Sequence, residues 1–205
     1  MKTMHFKLFG TLKAFILIAA LSTVTISCDN QEMDEINSST TSSTETLKSA
    51  NSAPKPGDAP IAQIAIDAGF TELVGALSYV DTELNAGLVN LFLNGKDQYT
   101  VFAPTNTAFN NLYTALGVKK ITDLPPTLVL NVLKYHVVEG RRAANSVVPK
   151  MGSREITTLL GSSFSVNNSG MITAVGNTAN ITAPNISASN GIIHVVDAVL
   201  LPINP

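Results

Sequence analysis

The chain has 205 residues, of which 45% are hydrophobic and 14% are charged, so it can bury one substantial hydrophobic core. Its formal net charge of −2 argues against a nucleic-acid-binding protein, and no basic stripe interleaved with aromatic residues is present. Cys28 is the single cysteine, which excludes an intramolecular disulfide bond.

The N-terminal segment is typical of an export signal. Lysines precede an apolar run at 14–26, which is too short to span a bilayer comfortably but suits the core of a signal peptide. Cys28 follows this run directly after Ser27 and resembles the lipid-attachment cysteine of bacterial lipoproteins, although Thr25 stands where Leu or Val is usual. An ordinary secretory signal with an incidental cysteine is the alternative. We predict a lipoprotein signal peptide at 1–27 and lipid attachment at Cys28.

A polar segment follows the cysteine. Its first residues, DNQEMDEI, resemble the export signals of surface lipoproteins in Bacteroidetes-type bacteria. Residues 37–59 are rich in Ser, Thr, Pro and Ala and contain almost nothing to bury, so they cannot recover the entropy cost of ordering. We therefore expect a flexible stalk at 28–57. The protein would be exported, lipid-anchored to the bacterial outer membrane and exposed at the cell surface.

The predicted folded domain covers residues 58–205 and begins with helices. Pro60 opens an amphipathic segment that closes at Gly69, since its apolar residues recur with helical spacing. Thr71 is predicted to cap a second helix with its side-chain oxygen. A third helical stretch ends before the turn at Asn94 and Gly95.

The stretch YTVFAPTNTAF predicts a strand followed by a helix. Tyr99 begins a β-favouring run, Pro104 ends it, and either Thr105 or Asn106 can cap the helix that follows and ends at Gly117. The corner lacks the glycines that a phosphate-binding loop needs, and it lacks the Gly-x-Ser-x-Gly elbow of a hydrolase. We interpret this corner as a structural joint.

The next segment predicts a helix at 127–135, introduced by two prolines and followed by His136. The doublets Lys119-Lys120 and Arg141-Arg142 are each interpreted as solvated edges.

The last third of the chain predicts β-structure. Residues 163–166 and 171–175 form a predicted hairpin, and a strand at 179–183 is expected to break at Pro184. A further strand follows the turn before Gly191. Helices followed by an antiparallel sheet indicate the α+β class.

Three segments resemble the signatures of the fasciclin-type (FAS1) adhesion domain, namely YTVFAPTNTAF, LKYHVVEG and NGIIHVVDAVLLP. They occur in the order of that family and cover essentially the whole folded part. The resemblance implies a single fasciclin domain of the α+β class, with a twisted antiparallel β-wedge, packed N-terminal and central helices, and two neighbouring signature strands. The residues that carry these signatures, interpreted as structural, are Thr100, Phe102, Pro104, Thr105, Asn106, Phe109, Gly191, His194, Asp197 and Pro202.

The histidines do not indicate a catalytic or metal site. His194 and Asp197 point to opposite faces of their strand, so they do not form a catalytic pair. We expect His194 to be a neutral core histidine and Asp197 to hold a strand end or turn. His136 and His194 have no thiolate or carboxylate cluster at metal-ligand spacing. We predict no catalytic residues, no metal and no cofactor.

The family resemblance implies adhesion without enzyme activity. In its animal matrix members, integrin recognition is assigned to an Asp-Ile pair and to the Tyr-His segment. The matching positions here, Asn185-Ile186 and Tyr135-His136, are candidate adhesion residues, although the acidic residue is missing. For Tyr135 and His136, packing at a helix end and a satisfied hydrogen bond are the favoured explanation. The predicted function is a membrane-tethered extracellular binding module whose partner is a surface carbohydrate or an extracellular protein. A small hydrolase or a ligand-carrying protein on the same fold is the alternative.

Overall fold

A computed structural model describes residues 56–203 of the chain. The predicted signal peptide, Cys28 and all but the last two residues of the predicted stalk lie outside the described residues, as do residues 204–205. The predicted anchor is therefore not tested by this structure.

The first half of the described chain is mainly helical. Apolar residues at helical spacing face inward in the five longer helices, which is the pattern that the sequence predicts, whereas the short helix after them is not predicted. The helices are α1 (Ile61–Asp67), α2 (Thr71–Leu84), α3 (Leu88–Asn94), α4 (Asn106–Leu116), α5 (Pro126–Tyr135) and α6 (Ala144–Val147), with a 3-10 turn at Ile121–Asp123.

Seven strands of the described region form one sheet in the order β2-β1-β7-β6-β5-β4-β3. Every neighbouring pair is antiparallel except β1 and β7, which run parallel with Phe102 opposite His194. The α+β class is therefore confirmed, and the two signature strands are direct neighbours. The strands are β1 (Tyr99–Pro104), β2 (Val137–Glu139), β3 (Ser153–Thr157), β4 (Ser163–Asn167), β5 (Met171–Thr173), β6 (Thr178–Ala188) and β7 (Gly191–Val196).

The signature strands lie between two hydrophobic clusters. Val101 and Ala103 of β1 pack into the cluster formed with α1–α5, whereas Phe102 packs into the second cluster, with β3–β5. All six residues of β7 are buried, as expected for a central strand that is covered on both faces. The close pairing of β1 with β7 depends on Gly191, because a Cβ at this position would lie 2.0 Å from the backbone carbonyl oxygen of Tyr99.

The corner after β1 is held by two side-chain caps. The Thr105 hydroxyl accepts a hydrogen bond from the Ala108 N–H (3.2 Å) and so caps α4. The prediction that Thr71 caps α2 is wrong, because Thr71 is the first residue of α2 and the preceding residue makes no side-chain cap. Asn106 supplies this cap instead: its Oδ1 accepts from the Glu72 N–H at 3.1 Å, and its Nδ2 donates to the Gly69 carbonyl at 2.9 Å. The joint thus connects α4 to the start of α2.

A third side-chain cap fixes the connection from α2 to α3. The two carboxylate oxygens of Asp81 accept hydrogen bonds from the N–H groups of Leu88 and Val89, each at 2.8 Å. These are the first two amides of α3, which have no acceptor within the helix. A carboxylate at this position also interacts favourably with the helix dipole.

Strand β6 differs from its prediction. It does not break at Pro184 but continues from Thr178 to Ala188, with register shifts against β7 between Ile181 and Ile186. Pro184 is exposed, and Asn185 adopts a left-handed conformation with φ 66°. A β-bulge therefore accommodates the proline that was expected to end the strand.

Candidate functional site

The Tyr135 side chain of the LKYHVVEG segment is buried, with 0% relative exposure. It is the last residue of α5, and its hydroxyl donates to the Ser163 carbonyl of β4 at 2.8 Å. Its ring meets the Phe164 ring edge-on, with the centroids 5.8 Å apart, and burial raises the pKa of the phenol. Tyr135 thus connects α5 to the sheet and does not lie on the molecular surface.

His136 is also buried, at 2% exposure, and both ring nitrogens have backbone partners. The Val132 carbonyl can only accept, so Nδ1 carries the proton and donates to it at 2.7 Å. The Leu200 N–H donates to Nε2 at 2.9 Å. Burial lowers the pKa of His136 from 6.5 to about 4, which keeps the ring neutral near pH 7. His136 therefore ties α5 to the segment that follows β7.

His194 carries the opposite tautomer. Its Nδ1 accepts from the Asn185 N–H at 3.3 Å, and its Nε2 lies 2.9 Å from the Arg142 carbonyl, to which it donates. The ring is 0% exposed, and burial lowers its pKa. These contacts support the interpretation of His194 as a neutral core histidine. They also bring Arg142 and the bulge of β6 to one place.

Arg142 has its backbone held by both signature strands. The Thr100 hydroxyl of β1 accepts from the Arg142 N–H at 2.8 Å and donates to the Gly140 carbonyl at 2.7 Å, while His194 of β7 binds the Arg142 carbonyl. The preceding arginine points inward, because the Arg141 guanidinium donates to the carbonyls of Ala188 (2.8 Å) and Gly191 (2.5 Å). The interpretation of the arginine doublet as a solvated edge is therefore wrong for Arg141.

A shallow depression of about 370 Å³ lies beside Arg142. Glu139, at the exposed end of β2, and Thr157, at the exposed end of β3, contribute to its wall together with Arg142. The depression thus offers a carboxylate, a guanidinium and a hydroxyl. Neither Arg142 nor Glu139 was among the candidate residues, because nothing in the sequence tells which arginine of the doublet faces outward.

Asn185 and Ile186 occupy opposite environments. Asn185 is exposed, and its Oδ1 accepts from the Ala144 N–H at the start of α6 at 2.8 Å. Ile186 is half-buried and packs against the hydrophobic cluster that α1–α5 form with β1. Asn185 and Arg142 are therefore neighbours through His194, and we call the half-buried side chain of Arg142 and the exposed side chains of Asn185, Glu139 and Thr157 together the Arg142 surface.

Asp197 holds the end of β7. Its two carboxylate oxygens accept from the backbone N–H of Asn180 at 2.7 Å and from the Asn180 side-chain amide at 2.9 Å. The remaining signature residues serve packing: Phe102 and Phe109 are buried, and Pro202 is half-buried after β7.

Two properties of the described region bear on ligands and membranes. Residues 56–203 contain no group of three or more His, Cys, Asp or Glu side chains that could hold a metal ion. No helix within this range is long and apolar enough to cross a bilayer.

Comparison with known proteins identifies the family. The family model described as "Fasciclin domain" matches residues 68–202. The immunogenic protein MPB70 of Mycobacterium bovis is 37% identical over 134 residues, which are 65% of this chain and 63% of that protein. The transforming growth factor-beta-induced protein ig-h3 of Sus scrofa is 28% identical over 114 residues, 56% of this chain and 16% of that protein.

Among solved structures, a FAS1 domain pair from the insect cell adhesion molecule fasciclin I matches with a TM-score of 0.45 and 15% identity. The match covers 63% of this chain and 45% of that one. This chain thus spans less than two thirds of the length of each of these relatives. Because the family model matches more than half of the chain, the protein belongs to the fasciclin-domain family.

Proposed function

We propose that this protein is a non-catalytic extracellular adhesion module that binds a surface polysaccharide, a matrix component or a cell-surface protein. The family supports the proposal, because fasciclin-domain proteins often act in adhesion or binding and are generally non-catalytic. Fasciclin homologues are secreted or extracellular. In the proposed organisation, residues 1–27 are removed, Cys28 carries the lipid, residues 28–57 form the stalk and residues 58–205 form the binding domain.

The Arg142 surface is the proposed contact site. The observation that carries this assignment is the pair of hydrogen bonds that fix the Arg142 backbone. Thr100 and His194 hydrogen-bond to the N–H and the C=O of Arg142, so the backbone that carries the Arg142 side chain is fixed. Such preorganisation reduces the entropy lost on binding. A guanidinium presents a planar fork of donors that fits carboxylates, and the neighbouring Glu139 and Asn185 add acceptors for hydroxyl groups.

Tyr135, His136 and Ile186 act on adhesion indirectly in this proposal. All three pack into the interior or its edge, and the hydrogen bonds of Tyr135 and His136 go to the protein backbone. Substituting them would weaken binding by loosening the fold that positions Arg142. A substitution at Tyr135 or His136 that abolished adhesion at unchanged stability would contradict this assignment.

The test is a glycan and matrix-protein array probed with residues 28–205 carrying Cys28→Ser, both as soluble monomer and densely displayed on beads. Many copies on one surface supply avidity, so we expect binding that is stronger in the dense format. Arg142→Ala should abolish this binding, whereas the control Lys150→Ala, at an exposed position outside the Arg142 surface, should retain it. Equal binding by both variants would refute the site, and silence of the folded wild type in both formats would refute the adhesion proposal.

The proposed anchor has a separate test. Wild-type protein expressed in a bacterial host should partition into the detergent phase and carry an acyl modification on the peptide that begins at Cys28, because each buried methylene adds about 0.8 kcal/mol to membrane binding. The variant Cys28→Ala should not be acylated. An unmodified wild-type Cys28 would refute lipid anchoring and leave the adhesion proposal untouched.

A further inference from the structure

An apolar cleft lies on the helical side of the domain, away from the residues of the Arg142 surface. Its walls come from α2, α4 and α5 and from the segment after β7, with Ala76, Leu116, Val132 and Ile203 as representatives of these four parts. The cavity volume of the cleft is about 70 Å³, and all the space between its walls, including its opening to solvent, is about 670 Å³. None of the contacts that define the proposed adhesion site uses this cleft.

The cleft offers its occupant no hydrogen bond. Among the described residues that line it, His136 alone has a polar side chain, and both of its ring nitrogens already have backbone partners. A hydroxyl or amide group that entered would lose its hydrogen bonds to water without replacement, which is unfavourable. The occupant must therefore present hydrocarbon.

The opening of the cleft is itself apolar. Leu116 at the end of α4 is 40% exposed and Ile203 is 52% exposed. These two residues continue the lining to the surface, so a chain longer than the cavity can extend outward along them. For comparison, a closed apolar cavity of about 150 Å³ accommodates benzene. The cavity volume here, about half that size, suits the end of an alkyl chain.

The loop beside the cleft contains two exposed lysines. Lys119 and Lys120 are exposed and lie in the short loop between two residues that line the cleft, Leu116 and Ile121. Asp123 lies in the same turn, and its Oδ2 accepts from the backbone N–H groups of both lysines, at 3.0 and 3.2 Å. Glu72 adds a second carboxylate here, because the Tyr113 hydroxyl donates to it at 2.7 Å and also meets the backbone of Ile121. Both carboxylates thus accept hydrogen bonds within the protein, and the two lysines supply the exposed charge beside the cleft.

We propose that this cleft binds the alkyl chain of a single-chain anionic amphiphile of the fatty-acid type, with the acidic head group beside Lys119 and Lys120. The apolar lining selects the chain, and the basic loop selects the sign of the head-group charge. This site is independent of the proposed adhesion through Arg142. It gives the ligand-carrying alternative a defined place in the molecule.

The experiment is an NMR titration of residues 28–205 with Cys28→Ser, using laurate below its micelle concentration and observing methyl groups. We expect saturable shifts at Leu116, Val132 and Ile203, with Ile66 unaffected as an exposed aliphatic residue outside the cleft. Dodecanol, which has the same chain without the charge, should bind about tenfold more weakly. A leucine-rich pentapeptide should not shift the cleft signals.

Two variant pairs test the chain and the head group separately. Leu116→Glu should weaken laurate binding about tenfold or more, because it places a like charge at the opening, while Ile66→Glu should bind as the wild type does. Reversing both Lys119 and Lys120 to Glu should weaken laurate binding but not dodecanol binding, whereas Lys150→Glu should change neither. If laurate shifts the signals of the wild type without saturation, or shifts signals outside the cleft, the proposal is overturned, whatever the variants show.

Two further outcomes decide the head-group specificity and the chemical class of the occupant. Equal affinity for laurate and dodecanol, unchanged by reversal of the two lysines, would overturn the anionic specificity. Cleft shifts with the pentapeptide but not with laurate would overturn the amphiphile and indicate an apolar side chain of a protein partner instead.

Discussion

The buried His136 makes a specific prediction about stability in acid. Burial lowers its folded-state pKa to about 4, whereas the unfolded chain has the ordinary value of 6.5. Between these two values the unfolded state takes up a proton that the folded state does not. The free energy of unfolding must therefore fall as the pH falls below about 6.5, and the contribution of His136 is lost once the pH is below about 4.

The size of this effect follows from the difference in pKa. One pKa unit corresponds to about 1.4 kcal/mol, so the full contribution is about 3 kcal/mol, of which about 2 kcal/mol is lost between pH 7 and pH 5. His194 acts in the same direction, because burial also lowers its pKa. We expect the wild type to be most stable at neutral pH and to lose stability steeply on mild acidification.

The assay is urea unfolding followed by circular dichroism at several pH values, since the chain has no tryptophan for fluorescence. His136→Asn retains a donor for the Val132 carbonyl but has no group that titrates in this range. The variant should be less stable than the wild type at pH 7, yet it should lose about 2 kcal/mol less between pH 7 and pH 5. Equal pH dependence of the two proteins would refute the assignment of a depressed pKa to His136, because His194 and the carboxylates are common to both.

Three further predictions concern backbone and capping positions, and each is checked by urea unfolding at neutral pH. Gly191→Ala should destabilise the fold by about 3 kcal/mol or more, because its Cβ would clash with the Tyr99 carbonyl. Its control is Gly75→Ala in α2, where a Cβ meets nothing within 4 Å; this change should stabilise the fold by about 0.5–1 kcal/mol. Asn106→Ala should cost about 1–2 kcal/mol through loss of the cap of α2, and a neutral result would contradict that role. Asp81→Ala should cost about 1–2 kcal/mol for the same reason at α3, and Asp81→Asn should cost less, because one acceptor remains.

Local patterns predicted much of the fold. The helices α1, α4 and α5 and the strand β1 follow the expected apolar spacing; α1 and α4 end at or near the expected glycines, β1 ends at Pro104, and α5 ends before His136 as expected. The missed strand β3 shows the limit of this approach: four of its five residues are exposed and only Ile156 is buried, so it has no hydrophobic alternation to read. Proline misled the prediction at β6, because an exposed bulge removed the conflict that Pro184 would otherwise cause.

Long-range contacts lie beyond such patterns. The cap of α2 comes from Asn106, 34 residues further along the chain than the amide it binds. The parallel pairing of β1 with β7 joins the middle of the chain to its last strand. The candidate site has the same character. Which residue of the arginine doublet faces solvent is decided by Thr100 and His194, which hold Arg142, and by the carbonyls that bind the Arg141 side chain.

The two buried histidines connect fold stability to the proposed adhesion site. His136 and His194 each accept one backbone N–H and donate to one carbonyl, with opposite tautomers, so a proton added to either ring destroys one of its two hydrogen bonds. Protonation of His194 would break its bond to Asn185 and release the bulge beside Arg142. A loss of adhesion on acidification, or on substitution of either histidine, is therefore expected to follow the loss of folded structure. Arg142 differs, because its side chain takes no part in the contacts that hold its backbone and donates to the Glu139 carbonyl in a long, exposed hydrogen bond of 3.4 Å. Its removal is therefore expected to separate binding from stability.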